Sequence, residues 1–358
     1  DDMIINGTYV LNGAIPSGTG NYAVNYGGVI RVDANTGGNA DNLAFSSNDR
    51  VLFKTGSIFQ WNTNVILETV GINYFRIDSD EFEKPIFRIS ANNLNIGSNS
   101  ATTINGLLDV TGSVLWTGTG TKTFRDGITG TGNITQTEAG VFRITGLAAV
   151  IGITNPSNSI TLSSGGGLEI VSGSQTELIA STRIDGAVFT NNGTFNCQAF
   201  VISGSTAFVN ATGATLGIGS TDGITTGTTT AGNIQTTGGR TFNSSATYVY
   251  NGTTNQVTGN GLPIAVQVLS ISSFGTSGNN TVTLTTTNTT AARFNLNSGY
   301  FVAGVNGNLN IEVGGAIFGT GGFQPNAPIS GTITFEGSGK TEGTLTGYPH
   351  LYAVIINA

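Results

Sequence analysis

The chain has 358 residues, a net charge of −7 and a pI near 4.6. Only 9% of its residues are charged, against roughly a quarter in ordinary globular domains, and this balance argues against nucleic acid as a partner because phosphates need clustered Lys and Arg. Glycine accounts for 54 residues while Met and Lys are scarce, so the composition favours many turns and short strands over helices.

The first 92 residues differ in composition from the rest of the chain. They carry Trp61 and the charge-dense stretch "FRIDSDEFEKPIFRIS" at 75–90. A stack of β-coils needs its first coil covered, because an open end exposes unpaired backbone and apolar core. We therefore expect residues 1–92 to form an N-terminal cap that merges into the first coils.

From residue 93 onward a short unit recurs, in which one residue separates two apolar residues and Gly or Ser follows. It reads "NLNIGS" at 93–98, "VFRITG" at 141–146, "GLEIVSGS" at 167–174 and "ATLGIGS" at 214–220. Because side chains alternate along a strand, the two apolar residues of each unit point to one side. Neighbouring units such as those at 141–146 and 167–174 begin 26 residues apart, which is the scale of a solenoid coil.

Longer segments repeat as well. "DGITGTGNI" at 126–134 returns as "DGITTGTTTAGNI" at 222–234, and "LWTGTGTKTF" at 115–124 resembles "VYNGTTNQVT" at 249–258. Tandem Ig-like sandwiches would instead give blocks of about 100 residues separated by linkers, and no linker interrupts residues 93–358. We predict an all-β fold, a right-handed parallel β-helix (β-solenoid), over 93–358 and expect it to continue beyond residue 358.

The inventory of catalytic groups is small. Glycoside hydrolysis needs two carboxyls about 5 to 10 Å apart, and Glu336 with Glu342 is the sole pair close in sequence after residue 190. His350 has no second histidine with which to share a metal. These residues are explained as solvated residues of turns, so we expect that the chain is not an enzyme. The alternative is a carbohydrate-active β-helix enzyme, that is, a polysaccharide lyase or hydrolase.

One acidic cluster could hold calcium, a hard cation that takes six to eight oxygen ligands. Its members are Asp78, Asp80, Glu81 and Glu83. The flanking Arg76, Lys84 and Arg88 offer another explanation, since they would neutralise these carboxylates in a solvated loop. "DANTGGNAD" at 33–41 resembles part of a calcium loop but lacks the closing Glu. We expect no other cofactor.

Two further features have structural interpretations. Cys197 follows Phe195 by two residues in "GTFNCQAF", so we expect an inward-facing, inert thiol. Thr281, Thr283 and Thr285 form one line in "TVTLTTT". An ice-binding face would need that line on every coil, so we do not expect one.

No apolar run approaches the ~20 residues that cross a membrane, and we expect no membrane-spanning segment. The longest runs, "GLAAVIGI" and "LPIAVQVL", have the length of a strand. The chain begins at Asp1 without a leader, which fits a processed, exported protein.

The stretch from about 186 to 358 carries "NGTFNCQAFVISGS", "ATLGIGSTDGI", "YVYNGTTNQVTGNGLP" and "ITFEGSGK". It resembles the repeat regions of very large Bacteroidetes surface adhesins of the gliding type, which are substrates of the type IX secretion system. The resemblance implies an extracellular, cell-surface, non-catalytic role as an adhesin or filament. It also implies contact with the secretion machinery, and with glycans, cell surfaces or other copies of the same chain.

Overall fold

A computed structural model describes residues 3–12, 21–34, 50–54, 56–61, 66–68, 86–91, 94–97, 101–227, 230–304, 308–311, 317–318, 322–323, 332–336 and 354–357. Their regular secondary structure is β-strand, and the pairings between the strands are parallel. The predicted all-β solenoid is thus confirmed. The chain divides into two compact units: unit 1 is residues 1–176 and 180–189, and unit 2 is residues 177–179 and 190–358.

Unit 1 is built from short strands, most of them three to five residues long. The strands are β1 (Met3–Ile5), β2 (Thr8–Asn12), β3 (Asn21–Val24), β4 (Val29–Ala34), β5 (Arg50–Phe53), β6 (Ile58–Trp61), β7 (Ile66–Glu68), β8 (Ile86–Ile89), β9 (Leu94–Gly97), β10 (Thr102–Ile104), β11 (Leu107–Val110), β12 (Ser113–Thr117), β13 (Lys122–Phe124), β14 (Gly127–Gly130), β15 (Asn133–Gln136), β16 (Val141–Ile144), β17 (Ala149–Ile153) and β18 (Ser159–Ile170). The two strands that follow, β19 (Gln175–Leu178) and β20 (Thr182–Asn191), carry residues of both units.

Unit 2 continues with strands of the same kind. They are β21 (Thr194–Asn196), β22 (Ile202–Ser203), β23 (Ala207–Asn210), β24 (Thr215–Ile218), β25 (Arg240–Phe242), β26 (Thr247–Tyr250), β27 (Gln256–Val257), β28 (Ala265–Ser272), β29 (Thr281–Thr283), β30 (Asn288–Ser298), β31 (Tyr300–Val302), β32 (Asn308–Ile311), β33 (Ile317–Phe318), β34 (Gly322–Phe323), β35 (Thr332–Glu336) and β36 (Val354–Asn357).

Three parallel ladders build most of unit 1. One runs β2, β4, β6, β8, β11, β14 and β17. A second runs β7, β9, β12, β15 and β18, and a third runs β10, β13, β16 and β18. Strands that are neighbours in a ladder are separated in sequence by a full coil, which is the connectivity of a parallel β-solenoid.

Matched registers place apolar side chains in columns inside the coils. In the first ladder Phe87 lies opposite Leu108, Leu108 opposite Ile128, and Ile128 opposite Ile151. All four side chains are fully buried. In the neighbouring ladders the rings of Trp116, Phe124 and Phe142 meet edge to face, with centroids 5.5 to 6.2 Å apart. The core of unit 1 is therefore a stack of like residues.

Unit 2 repeats this arrangement. Its longest ladder runs β21, β24, β26, β28 and β30, and continues through β32 and β35 to β36. A second ladder runs β27, β29, β31 and β34. The inward column of the long ladder consists of Phe195, Leu216, Tyr248, Leu269 and Phe294, all fully buried.

The apolar pairs predicted from the short repeat unit lie in the core wherever their side chains are described. Phe142 and Ile144 lie opposite Leu168 and Ile170, and all four are buried. The same holds for Leu216 and Ile218 of β24, and Leu309 and Ile311, which alternate in the same way on β32, are buried as well.

The N-terminal residues include ordinary coil strands. Strands β2, β4, β6 and β8 continue the first ladder into β11, which lies beyond the predicted boundary at residue 92. Residues 1–92 therefore contribute strands to the same ladder as β11. The cap, the boundary itself and the right-handed sense of the coil remain predictions.

Candidate functional site

Most of the residues singled out for chemistry lie outside the described residues. This holds for the four calcium candidates, Asp78, Asp80, Glu81 and Glu83, and also for Glu342 and His350. Glu336 is the last residue of β35, and Asp33 of the second calcium candidate lies in β4. The calcium site therefore remains a prediction.

Charged side chains of unit 1 pair across neighbouring coils. The Nε of Arg88 lies 2.7 Å from a carboxylate oxygen of Asp109, directly opposite it in the ladder. Arg143 and Glu169 form the same kind of pair at 2.8 Å, between the central residues of two repeat units. In the described part of the chain, no three His, Cys, Asp or Glu side chains gather closely enough to hold a metal ion.

The single cysteine is buried, as predicted. Cys197 is fully enclosed in the core of unit 2, and burial raises the pKa of its thiol far above the ordinary value. Because the thiolate is the reactive form, this side chain has the character of a small apolar core residue and not of a nucleophile.

Long polar side chains inside the coils bind the backbone at glycine-containing corners. The Oε1 of Gln256 accepts the N–H of Gly252 at 2.8 Å, and its Nε2 donates to the carbonyls of Ile218 and Ser220 at 3.0 and 2.8 Å. In unit 1 the Nζ of Lys122 donates to the carbonyls of two corner glycines, Gly118 and Gly120. Burial lowers the pKa of Lys122. These groups serve the fold.

Buried tyrosines of unit 2 also have internal partners. The hydroxyl of Tyr248 donates to the carbonyl of Asn243, and that of Tyr250 to the carbonyl of Thr258, both at 2.7 Å. Burial raises the pKa of both phenols, so they stay neutral well into the alkaline range. These hydroxyl groups therefore serve the core.

The outer surface of unit 1 carries neutral hydrogen-bonding groups in register. On the β12, β15 and β18 ladder, Thr135 lies opposite Thr161, and Ser113 lies opposite Asn133. The Oδ1 of Asn133 accepts the N–H of Ser159 at 3.1 Å, and the hydroxyls of Ser159 and Thr161 are 3.0 Å apart. The sequence patterns missed these rows, because a row across coils becomes visible only once the registers are known.

The threonine line proposed from sequence does not form an even outer row. Thr281 is buried, Thr283 is half-buried and Thr285 is exposed. The N–H of Thr285 donates to Thr258 Oγ1 at 3.0 Å, which ties this threonine to the preceding coil. The expectation that these residues do not make an ice-binding face stays a prediction.

Unit 2 contains a long stretch without charge and an exposed aromatic residue within it. Residues 241–292 include no Asp, Glu, Lys, Arg or His. Phe274 lies in this stretch with 71% of its surface exposed, just after β28. The alternation along β28 could have revealed it, since Leu269, Ile271 and Ser273 face inward and Phe274 must then face outward.

The loop that follows Phe274 is held by the preceding coil. The Nδ2 of Asn255 donates to the carbonyl of Gly278 at 3.1 Å, and its Oδ1 accepts the N–H of Thr281 at 3.0 Å. Inside the loop, the N–H of Asn279 donates to the carbonyl of Thr276 at 2.8 Å. The side-chain amide of Asn255 therefore binds the end of the loop through both its nitrogen and its oxygen.

A second exposed aromatic residue lies beside the same loop. The N–H of Tyr300 donates to the carbonyl of Asn280 at 2.9 Å, and 37% of the Tyr300 surface is exposed. The Ser298 hydroxyl donates to the carbonyl of Ser273 at 2.9 Å, which fixes the two coils side by side. We call residues 253–255, 273–281 and 298–300 together the Phe274 corner.

The chain matches no known family model, no curated protein and no solved structure. Its likeness to Bacteroidetes adhesins therefore rests on the sequence patterns alone. In the part of the chain that the structure describes, no helix has the length and apolar character of a membrane span.

Proposed function

We propose that this chain is an extracellular structural and adhesive segment of a bacterial cell-surface protein, an adhesin or fibre, and that it catalyses no reaction. Contact with glycans, with cell surfaces or with other copies of the chain would be made by outward-facing side chains. The gliding-adhesin resemblance, with export through the type IX system, belongs to the same proposal.

One observation carries this proposal: the outward surface presents uncharged hydroxyl and amide groups in register on successive coils. Thr135 lies opposite Thr161 on one such surface, and Ser113 lies opposite Asn133. Hydroxyls and amides both donate and accept hydrogen bonds, so a regular array suits a ligand that repeats along its own length.

Three carboxylates of unit 1 pair with arginine side chains, and this supports the proposal that the chain catalyses no reaction. Asp109, Glu169 and Asp185 each have an oxygen within 2.8 Å of an arginine Nε. A catalytic carboxyl must reach the reacting atoms of a substrate within hydrogen-bond distance. These three carboxylates are already engaged by guanidinium groups in charge-assisted hydrogen bonds, so they are poorly suited to acid–base work on a sugar.

The test is to incubate the folded chain with pectins, alginates, glucans and whole bacterial cells, and to measure both retention and products. We expect the chain to be retained on at least one of these surfaces while reducing ends and unsaturated sugars stay at the level of a heat-unfolded sample. Turnover above that level would establish the enzyme instead. Absence of retention on every surface would overturn the adhesive role.

A further inference from the structure

We propose that the Phe274 corner is a binding site for an uncharged polysaccharide. This inference rests on the proposed adhesive function and assigns it a place and a ligand class. Three independent features of the corner lead to it: exposed aromatic rings, a loop fixed before any ligand arrives, and the absence of charge from residues 241–292.

The exposed rings supply the apolar part of the contact. Leaving most of a Phe side chain in water forgoes roughly 2 kcal/mol of burial free energy, and Phe274 is 71% exposed on an otherwise polar corner. A pyranose ring presents a face of C–H groups that packs on the electron-rich face of an aromatic ring. Phe274 and Tyr300 adjoin opposite ends of the loop 275–280, so one chain of sugars could contact both.

The loop between the rings is held by hydrogen bonds to residues of the neighbouring coils. Asn255 binds Gly278 and Thr281 through both ends of its amide, and the carbonyl of Asn280 accepts the N–H of Tyr300. A surface fixed in this way loses little conformational entropy when a ligand binds. Rigid aromatic residues among Ser, Gly and Asn also make up antibody combining sites, where the ring anchors and the polar groups adapt.

The neutrality of the corner selects the class of ligand. An acidic polysaccharide or a nucleic acid would need lysine or arginine near its anionic groups, and the corner itself, residues 253–255, 273–281 and 298–300, contains neither. Thr253, Thr254 and Asn255 are exposed beside the loop and offer hydroxyl and amide groups. Such groups match the hydroxyls of a neutral sugar, which also donate and accept.

The experiment compares binding of the whole chain to three neutral polysaccharides, a β-glucan, a xylan and a mannan, and to polygalacturonate, by affinity electrophoresis and calorimetry. Phe274→Ala and Tyr300→Ala should each weaken binding to the neutral polymer roughly tenfold, the loss expected from one aromatic contact. Phe274→Trp should keep it, because a ring remains. Tyr26→Ala removes a side chain that is 82% exposed in unit 1 and is the matched control.

The possible results separate this inference from the proposed function. Binding that Phe274→Ala and Tyr300→Ala leave unchanged would overturn the site while the adhesive role stands. Preference for polygalacturonate would overturn the ligand class. If none of the four polymers binds, the inference fails, and retention on whole cells then decides the adhesive role by itself. Melting curves should show that each variant is folded, and that of Phe274→Ala should match the parent chain, because 71% of the Phe274 surface is exposed.

Discussion

At the scale of single residues, long polar side chains inside the coils take the place of missing backbone partners. Lys122 and Gln256 occupy the same position in two related segments, six residues after Trp116 and Tyr250 respectively. Both are buried and both donate to backbone carbonyls at a corner. A buried carbonyl or N–H without a partner destabilises the fold, so a side chain that reaches the corner stabilises it.

Gln256→Met tests this role. Methionine fills a similar volume but leaves the Gly252 N–H and the carbonyls of Ile218 and Ser220 without their side-chain partner. We expect a loss of about 2 to 4 kcal/mol in the free energy of unfolding, measured by urea denaturation. Gln267→Met is the control, because Gln267 is exposed on β28. Equal stability of the two variants would show that the buried amide does not support the corner.

Within a coil, strand and corner geometry depends on a few glycines. Gly130 ends β14 with a φ of 131°, a conformation that residues with a side chain rarely adopt. A Cβ at this position would lie 2.0 Å from the carbonyl oxygen of Val110 on the preceding coil. The close approach of neighbouring coils therefore requires the absence of a side chain here.

Gly130→Ala should lower the free energy of unfolding by about 3 kcal/mol, because backbone strain and a clash with fixed backbone add together. Gly173→Ala isolates the strain, since Gly173 has a φ of 85° but no atom lies within 4 Å of the place that a Cβ would occupy. We expect a loss of about 1 kcal/mol there. Thermal melts of the two variants give the comparison. A loss at Gly130 no larger than at Gly173 would mean that the coils can move apart.

The alternation of apolar residues predicts strands well, but sequence likeness alone does not. The segment 126–134 contributes to β14 and β15, whereas the described residues of its relative, 222–227 and 230–234, contain no strand, and Ile234 forms an isolated bridge with Ile202. Asn233 holds the position of Asn133, but it is buried and its Oδ1 accepts two N–H groups, those of Gly219 and Ser220, whereas Asn133 accepts only that of Ser159. Side-chain hydrogen bonds of this kind compete with strand ladders, and periodicity carries no sign of them.

The candidate site was only partly predictable for a related reason. Alternation places Phe274 outside, but the contacts of Asn255 with Gly278 and Thr281 span more than twenty residues and depend on coil register. Register follows from the lengths of all the intervening corners, and those lengths vary from coil to coil. The rows of hydroxyl groups on unit 1 could not be predicted from the sequence for the same reason.

For the molecule as a whole, charge is distributed unevenly along the chain. Unit 1 contains cross-coil ion pairs such as Arg88 with Asp109, while residues 241–292 of unit 2 have no charged side chain. Exposed ion pairs contribute little stability, and bulk salt screens them. An adhesive contact made through the neutral stretch should therefore be insensitive to ionic strength, unlike contacts that depend on opposite charges.

The dissociation constant for the neutral polysaccharide at low and high salt tests the central claim, recognition without charge, most directly. Raising NaCl from about 0.01 M to about 1 M shortens the Debye length from roughly 30 Å to roughly 3 Å. We expect the constant to change by less than about twofold, because no charged group of the corner takes part. Weakening by about tenfold or more would contradict the account and place the contact on the charged residues elsewhere in the chain.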